Sequence, residues 1–341
     1  MITQIYLYLT LDNNYNHKML NSNKIAVIIP CYKVKKSIFH VLESIPSFID
    51  MIYVIDDNCP ELSGDFVRKL NLPNVKVIFN KINLGVGGAI INGYHQAYKD
   101  KMDIAVKIDG DGQMDPTIIK NFINPIILGE ADYTKGNRFF SYETFKEMPI
   151  VRIFGNIVLS FLTKASSGYW KITDPTNGYT AINLSLVPFL HLNKINKRFF
   201  FESDMLFRLG ILNAMVLDIP MYCKYQDEES NLKISKIVAP FLVFNLANIV
   251  KRIFYKYYLR DFNVFSIILP IAISLMFFSF YFLYHLFVTY YIANLPSPIG
   301  SLFILFFSFF ISLQMFLGFI FYDVNSTPNK SISKMFKNIR L

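Results

Sequence analysis

Two stretches near the C-terminus decide what this 341-residue chain can become. Val264–Ile292 (VFSIILPIAISLMFFSFYFLYHLFVTYYI) and Ile299–Tyr322 (IGSLFILFFSFFISLQMFLGFIFY) contain no Asp, Glu, Lys or Arg. About 20 apolar helical residues cross a bilayer core, so each run is long enough to span one. Two buried core helices are the plainer alternative. Lysines and arginines flank the pair: Lys251, Arg252, Lys256 and Arg260 before it, Lys330, Lys334, Lys337 and Arg340 after it. By the positive-inside rule both flanks, and everything N-terminal, belong in the cytoplasm. These runs hold much of the apolar excess of a chain that is 53% hydrophobic, 17% charged and +0.33 in mean hydropathy. That composition excludes a disordered, a collagen-like or a disulfide-rich secreted protein.

The start of the chain has no basic n-region and reads as an extension over residues 1–23, not an export signal. Cys31, Cys59 and Cys223 are odd in number and lack metal-ligand spacing, so they read as ordinary reduced cysteines.

Residues 24–231 alternate in type. Ile25–Ile29, Met51–Ile55, Val75–Phe79 and Ile104–Ile108 are short apolar runs, which suit strands buried on both faces. Helix-length stretches lie between them, at Lys36–Ser47, Glu61–Leu70 and Val86–Tyr98. This rhythm predicts an α/β domain with a Rossmann-like, mainly parallel sheet, whose ligands sit at the carboxyl ends of the strands. Those ends carry Pro30-Cys31-Tyr32, Asp56-Asp57 and Asp109-Gly110-Asp111.

Asp109 and Asp111, two residues apart on the turn after a buried strand, can face one cation, with Gln113 adding a neutral oxygen. Hard oxygen ligands suit Mg²⁺ or Mn²⁺, which also takes phosphate oxygens. A calcium loop is excluded, because its sixth position would be Met114 and its twelfth Lys120. A solvated turn without ligand is the other reading. Gly85, Gly87 and Gly88 open a helix and would let backbone approach an anion, or form a plain turn; they match neither a dinucleotide fingerprint nor a phosphate-binding loop with GK[ST].

Taken in order, strand-PxY, strand-DD, NxGxGGAxxxG and strand-DGDGQ resemble the family 2 glycosyltransferases of GT-A fold. Two C-terminal spans narrow the likeness to the polyprenyl-phosphate glycosyltransferases, the dolichol-phosphate mannose synthase-like group. The resemblance implies that Pro30, Tyr32, Asp56, Asp57, Gly85 and Gly88 bind a UDP- or GDP-linked sugar, together with Asp109, Asp111 and Arg138 of Gly136-Asn137-Arg138. It implies a metal on Asp109, Asp111 and Gln113, and catalytic roles for Asp109, Asp111, Arg138, Asp174 and Asp204. Asp174 or Asp204 would position the acceptor, or act as base toward a hydroxyl; a structural cap or ion pair is the alternative for both. Asn177, Glu202, Ser230, Lys233 and Lys236 would meet the acceptor or its phosphate. Two positions depart from the family pattern: Lys33-Val34 stands where many members have Asn-Glu, and a late arginine is replaced by Lys224 or Lys233.

The implied enzyme inverts configuration while moving a single sugar to polyprenyl (undecaprenyl or dolichyl) phosphate at the cytoplasmic leaflet, for cell-envelope glycan or glycoconjugate synthesis. The alternatives are transfer to a sugar hydroxyl of a lipid-linked or surface polysaccharide, and a catalytically silent membrane scaffold. Processive synthesis is disfavoured, since the one tryptophan, Trp170, lies outside any Q-x-x-R-W. Residues 232–262 are basic and apolar and predict amphipathic helices lying on an anionic membrane surface; residues 263–323 hold the spans, and 324–341 form a basic cytoplasmic tail. The expected location is the cell membrane, multi-pass, with the catalytic domain and C-terminus cytoplasmic and homo-oligomers compatible. The charge of +9 needs no nucleic acid, for which no motif is present.

Overall fold

The structure, a computed structural model, describes residues 22–140, 150–221 and 234–336, and their side chains except those of 150–154 and 234–238. The chain divides into two compact units, Met1–Asn248 with Pro328–Leu341, and Ile249–Thr327.

The first unit is built on seven strands: β1 (Ile25–Cys31), β2 (Met51–Asp56), β3 (Val75–Phe79), β4 (Ile104–Lys107), β5 (Tyr133–Asn137), β6 (Thr180–Asn183) and β7 (Val216–Pro220). Their order in the sheet is β3-β2-β1-β4-β6-β5-β7, parallel except where β6 runs against β4 and β5. Alternation along β1 explains the layers. Ala26 and Ile28 face helices α3 (Val86–Lys99) and α6 (Phe201–Leu212). Ile25, Val27 and Ile29 face α1 (Ile38–Ser44), α2 (Ser63–Lys69) and α4 (Ile119–Ile127). Both faces of the central strands are therefore apolar, as parallel sheets require. Pro30 is tolerated inside β1 because β4 stops pairing at Lys107, opposite Ile28, which leaves only β2 beside the proline.

One expectation is corrected. β3 is not buried on both faces; it forms an edge of the sheet, half-exposed along its length, with Phe79 at the surface. Its apolar run is short enough to be covered by a single neighbour, which composition alone does not reveal.

Helix α5 (Ile150–Ser167) lies beside α6, and α7 (Ile234–Phe254) is tied to α5 by Ser166 Oγ donating to Asn245 Oδ1 at 2.7 Å. The end of the chain also belongs to this unit. Asp132, fully buried, accepts the Ser331 hydroxyl and the backbone N–H groups of Ile332 and Ser333, and also that of Met215. Ile332 and Phe336 then pack against the core, the latter on Phe189.

In the second unit, α8 (Val264–Leu286, continued as wider turns through Tyr291) and α9 (Ile299–Asn325) form a hairpin long and apolar enough to cross a membrane. Asn263 caps α8, exchanging hydrogen bonds with Ser266. Serines join the pair: Ser279 to Ser308 at 2.9 Å, and Ser312 to the Ala272 carbonyl at 2.8 Å. Near the ends of the helices Arg252 makes two 2.8 Å bonds to Asp323, which also accepts the Tyr257 hydroxyl.

Candidate active site

The carboxyl ends of the parallel strands gather the chemistry. At β2, Asp56 accepts the N–H groups of Cys59 (2.8 Å) and Gly64 (2.7 Å), drawing in the start of α2. Asp57 accepts from the Asn80 amide, Leu84 N–H and Gly85 N–H at 2.7 to 2.9 Å, fastening the loop after β3. The acidic pair thus shapes two loops around the tip of β1, where Tyr32 is exposed under the Lys33 ammonium. The Cys59 thiol lies in the same place: burial opposes its ionisation, but hydrogen bonds from Ser63 and from the backbone of Lys33, Ser63 and Glu61 hold its pKa below the usual value. Cys31 is pushed up to about 12 by burial and by Asp56.

Gly85 has φ of +86°, and a Cβ there would lie 2.7 Å from the Lys197 carbonyl. A Cβ on Gly87 would collide with Phe201, and one on Gly88 with Leu84. The close approach these glycines permit is to the protein's own chain, which favours the plain turn over a ligand cradle.

After β4, Gly112 takes φ of +82° and Asp111 Oδ1 accepts the Gln113 N–H at 3.0 Å, so the Asp109–Gln113 turn is locally closed. Ser37 holds it from outside by donating to the Gly110 carbonyl at 2.7 Å. Beneath it lies a residue that motif reading passed over. Lys107, the last residue of β4, is 1% exposed, with its ammonium 2.9 Å from Asp109 Oδ1, 3.4 Å from Glu202 Oε1 and 3.0 Å from the Gly178 carbonyl. Burial works against its charge, but Asp109 and Glu202 raise its pKa and keep it protonated. Glu202 is raised by burial, against the pull of Lys107. The available signal was a lone cation inside an otherwise apolar strand, IAVKI. Lys135 is a second buried lysine, opposite Thr180, which in turn faces Lys107; it donates to the Thr173 carbonyl at 2.6 Å.

Beyond β5, Arg138 grips Asp174 through Nε and Nη2, both at 2.7 Å, and through its backbone N–H at 3.1 Å. Burial alone would raise Asp174, yet the hydrogen bonds and charge of Arg138, with Lys135 nearby, hold it below the usual carboxylate range. Asn177 completes this loop, donating to Asp174 and accepting the Tyr179 N–H. Tyr179 stacks on Phe122 at 4.1 Å and reaches the Asp115 carbonyl. The loop from Asp174 to Tyr179 therefore bridges the ends of β4 and β5.

The two acids of α6 part company. Glu202 faces Lys107 and Asp109, while Asp204 accepts from Asn196 N–H (2.8 Å) and the Asn248 amide (3.0 Å). Residues two apart on a helix point in nearly opposite directions, so only one of the pair reaches the strand ends. Ser230 and Lys233 lie outside the described residues, as does the side chain of Lys236.

Among the described residues no three His, Cys, Asp or Glu side chains form a protein-only metal centre. Asp109 and Asp111 nevertheless offer hard oxygens, and a Cβ at Gly178 would fill the space 2.7 Å from Asp109 Oδ2. These residues fit a divalent ion that draws its remaining ligands from a diphosphate.

Strand order, strand-end carboxylates and the Arg138 loop stand where the resemblance to glycosyltransferases of GT-A fold implies. Comparison with known proteins agrees. The family model for glycosyl transferase family 2 matches residues 26–188. A UDP-N-acetylglucosamine–dolichyl-phosphate N-acetylglucosaminyltransferase of Methanococcus voltae is 33% identical over 190 residues, 51% of this chain and 75% of that protein. An undecaprenyl-phosphate mannosyltransferase of Micrococcus luteus is 26% identical over 203 residues, 58% of this chain and 82% of that one. The crystal structure of glucosyl-3-phosphoglycerate synthase from Mycobacterium tuberculosis with uridine diphosphate superposes with a TM-score of 0.53 at 15% identity, covering 70% of this chain and 84% of that one. A complex of the same synthase with Mn²⁺, uridine diphosphate and phosphoglyceric acid gives 0.52 at 15% identity, covering 70% and 81%. The chain belongs to glycosyltransferase family 2, and is a glycosyltransferase.

Proposed function

We propose that the enzyme is membrane-anchored and transfers one sugar, with inversion, from a UDP- or GDP-linked donor to a polyprenyl phosphate at the cytoplasmic leaflet, in cell-envelope glycan or glycoconjugate synthesis. The observation that carries the acceptor assignment is the state of its carboxylates. An acceptor hydroxyl needs a base, whereas a lipid phosphate is already ionised at neutral pH. Asp174 is committed to Arg138 and Asn177, Asp204 to Asn196 and Asn248, and Glu202 to Lys107. Two further facts support the reading: two of the curated relatives are named for polyprenyl-phosphate acceptors, and two helices of the catalytic unit expose apolar side chains. Ile157, Val158 and Phe161 of α5, with Val243, Phe244 and Leu246 of α7, all lie open. Exposed apolar side chains of this kind fit an interfacial position beside the acceptor's lipid.

In this reading Tyr32 and the loops shaped by Asp56 and Asp57 seat the nucleoside. Asp109 and Asp111 hold Mg²⁺ or Mn²⁺, which when bound supplies positive charge against the departing diphosphate. Arg138, fixed in direction by Asp174 and partly exposed, faces the same negative charge as it develops. The Asp174–Tyr179 loop places the acceptor oxygen opposite the leaving group.

The test is the full-length enzyme in detergent with Mn²⁺, a panel of nucleotide-sugars, and either polyprenyl phosphate or soluble glycans. Sugar should appear on the lipid phosphate, and Asp109→Asn should abolish it. Transfer to glycan hydroxyls alone would overturn the acceptor assignment, and donor inertness throughout would overturn the whole reading.

A further inference from the structure

Lys107 has no counterpart in the roles assigned above. Its ammonium donates to Glu202 Oε1 and the Gly178 carbonyl and forms an ion pair with Asp109 Oδ1 at 2.9 Å. Its position is enforced from every side. The strand register sets it between Ile28 and Thr180, and a Cβ on Gly178 would come within 2.5 Å of Nζ. A buried cation so placed does more than fill space. It lies between a carboxylate at the strand end and a second carboxylate on α6 that would otherwise stand beside it.

We propose that Lys107 is a positioning residue that sets how tightly the strand-end carboxylates hold a divalent cation, by pinning Glu202 away from the ion and offsetting one of the negative charges. The proposal rests on the reading that Asp109 and Asp111 bind that cation. Lys107 sets one positive charge 2.9 Å from Asp109 and 3.4 Å from Glu202, and removing it takes that offset away from the strand-end carboxylates. With Lys107 in place the ion is held loosely by protein alone and firmly only when a nucleoside diphosphate adds its oxygens.

The experiment is Mn²⁺ binding to the full-length protein in detergent at pH 8, followed by electron paramagnetic resonance with and without uridine diphosphate. Lys107→Met should tighten nucleotide-free Mn²⁺ binding about tenfold or more, because a positive charge next to the ligands has gone. Glu202→Gln alone should weaken it by about as much, and the double variant should return close to wild type. If Lys107 acted only by holding the turn in shape, its removal would loosen the ligands and weaken binding. Unchanged or weaker binding in Lys107→Met overturns the proposal; if that variant fails to fold, wild-type affinity in Glu202→Gln overturns it. Should the wild type take up no Mn²⁺ even with uridine diphosphate, the metal reading of Asp109 and Asp111 falls as well, which separates the two failures.

Discussion

Asp174 is 1% exposed, so its ionised form depends chiefly on Arg138, with Lys135 and Asn177 in support. Replacing Arg138 by Gln strands a buried carboxylate, and removing one partner of such a pair typically costs about 3–5 kcal/mol. The pH dependence should change sign as well. In the wild type the depressed Asp174 contributes stability that is present above its unfolded pKa and lost as acid carries the pH down through the folded one. In Arg138→Gln burial dominates, the carboxyl titrates above its unfolded value, and the variant gains stability as pH falls from 7.5 toward 5. Trp170, the sole tryptophan, sits in the catalytic unit, so fluorescence-monitored melting reads this directly. At this scale the positions in the candidate site were legible: Asp109, Asp111, Arg138 and Asp174 all lie at strand ends or on the adjoining loop. Lys107 was not, because a single lysine in an apolar run looks like tolerance until the strand's two buried faces are known. Nor was the choice between Glu202 and Asp204, which depends on helix phase.

Among the elements, the first four strands follow from their β-branched runs, and all four begin where the sequence places them. β5, β6 and β7 do not. TAIN is four residues long and YTKGN carries little apolar signal; their burial comes from neighbours that the local sequence does not name. The short loop between Asp174 and Tyr179 is where elements and chemistry meet. Gly178→Ala would press a methyl on the Lys107 ammonium and Asp109, and a shift of about 1 Å at a reacting centre can cost about a hundredfold in rate. Initial-rate assays should show that loss with the circular dichroism of the sheet retained. The paired helices carry their own test. Arg252→Leu leaves Asp323 buried without its main partner and should cost about 3–5 kcal/mol, whereas Arg252→Leu with Asp323→Leu should recover most of it, as read by thermal unfolding in detergent.

For the whole molecule, the telling contact is Asp132 with Ser331, Ile332 and Ser333, about 200 residues downstream. Asp132→Ala would leave several buried donors unmatched, and each costs about 1–3 kcal/mol. The last segment should then detach, and trypsin should cut after Lys330 or Lys334 faster than in the wild type while the remaining catalytic unit resists. The same contact has a topological meaning. The chain quits the catalytic unit near Asn248 and rejoins it at Pro328, so if the intervening helices span a bilayer, as proposed, they cross it an even number of times. Two full crossings would send the Asn294–Pro298 bend to the far compartment. A cysteine placed at Ser297 in intact cells should react with an impermeant maleimide, and a shielded one would mean that the hairpin dips into the membrane and turns back without crossing it.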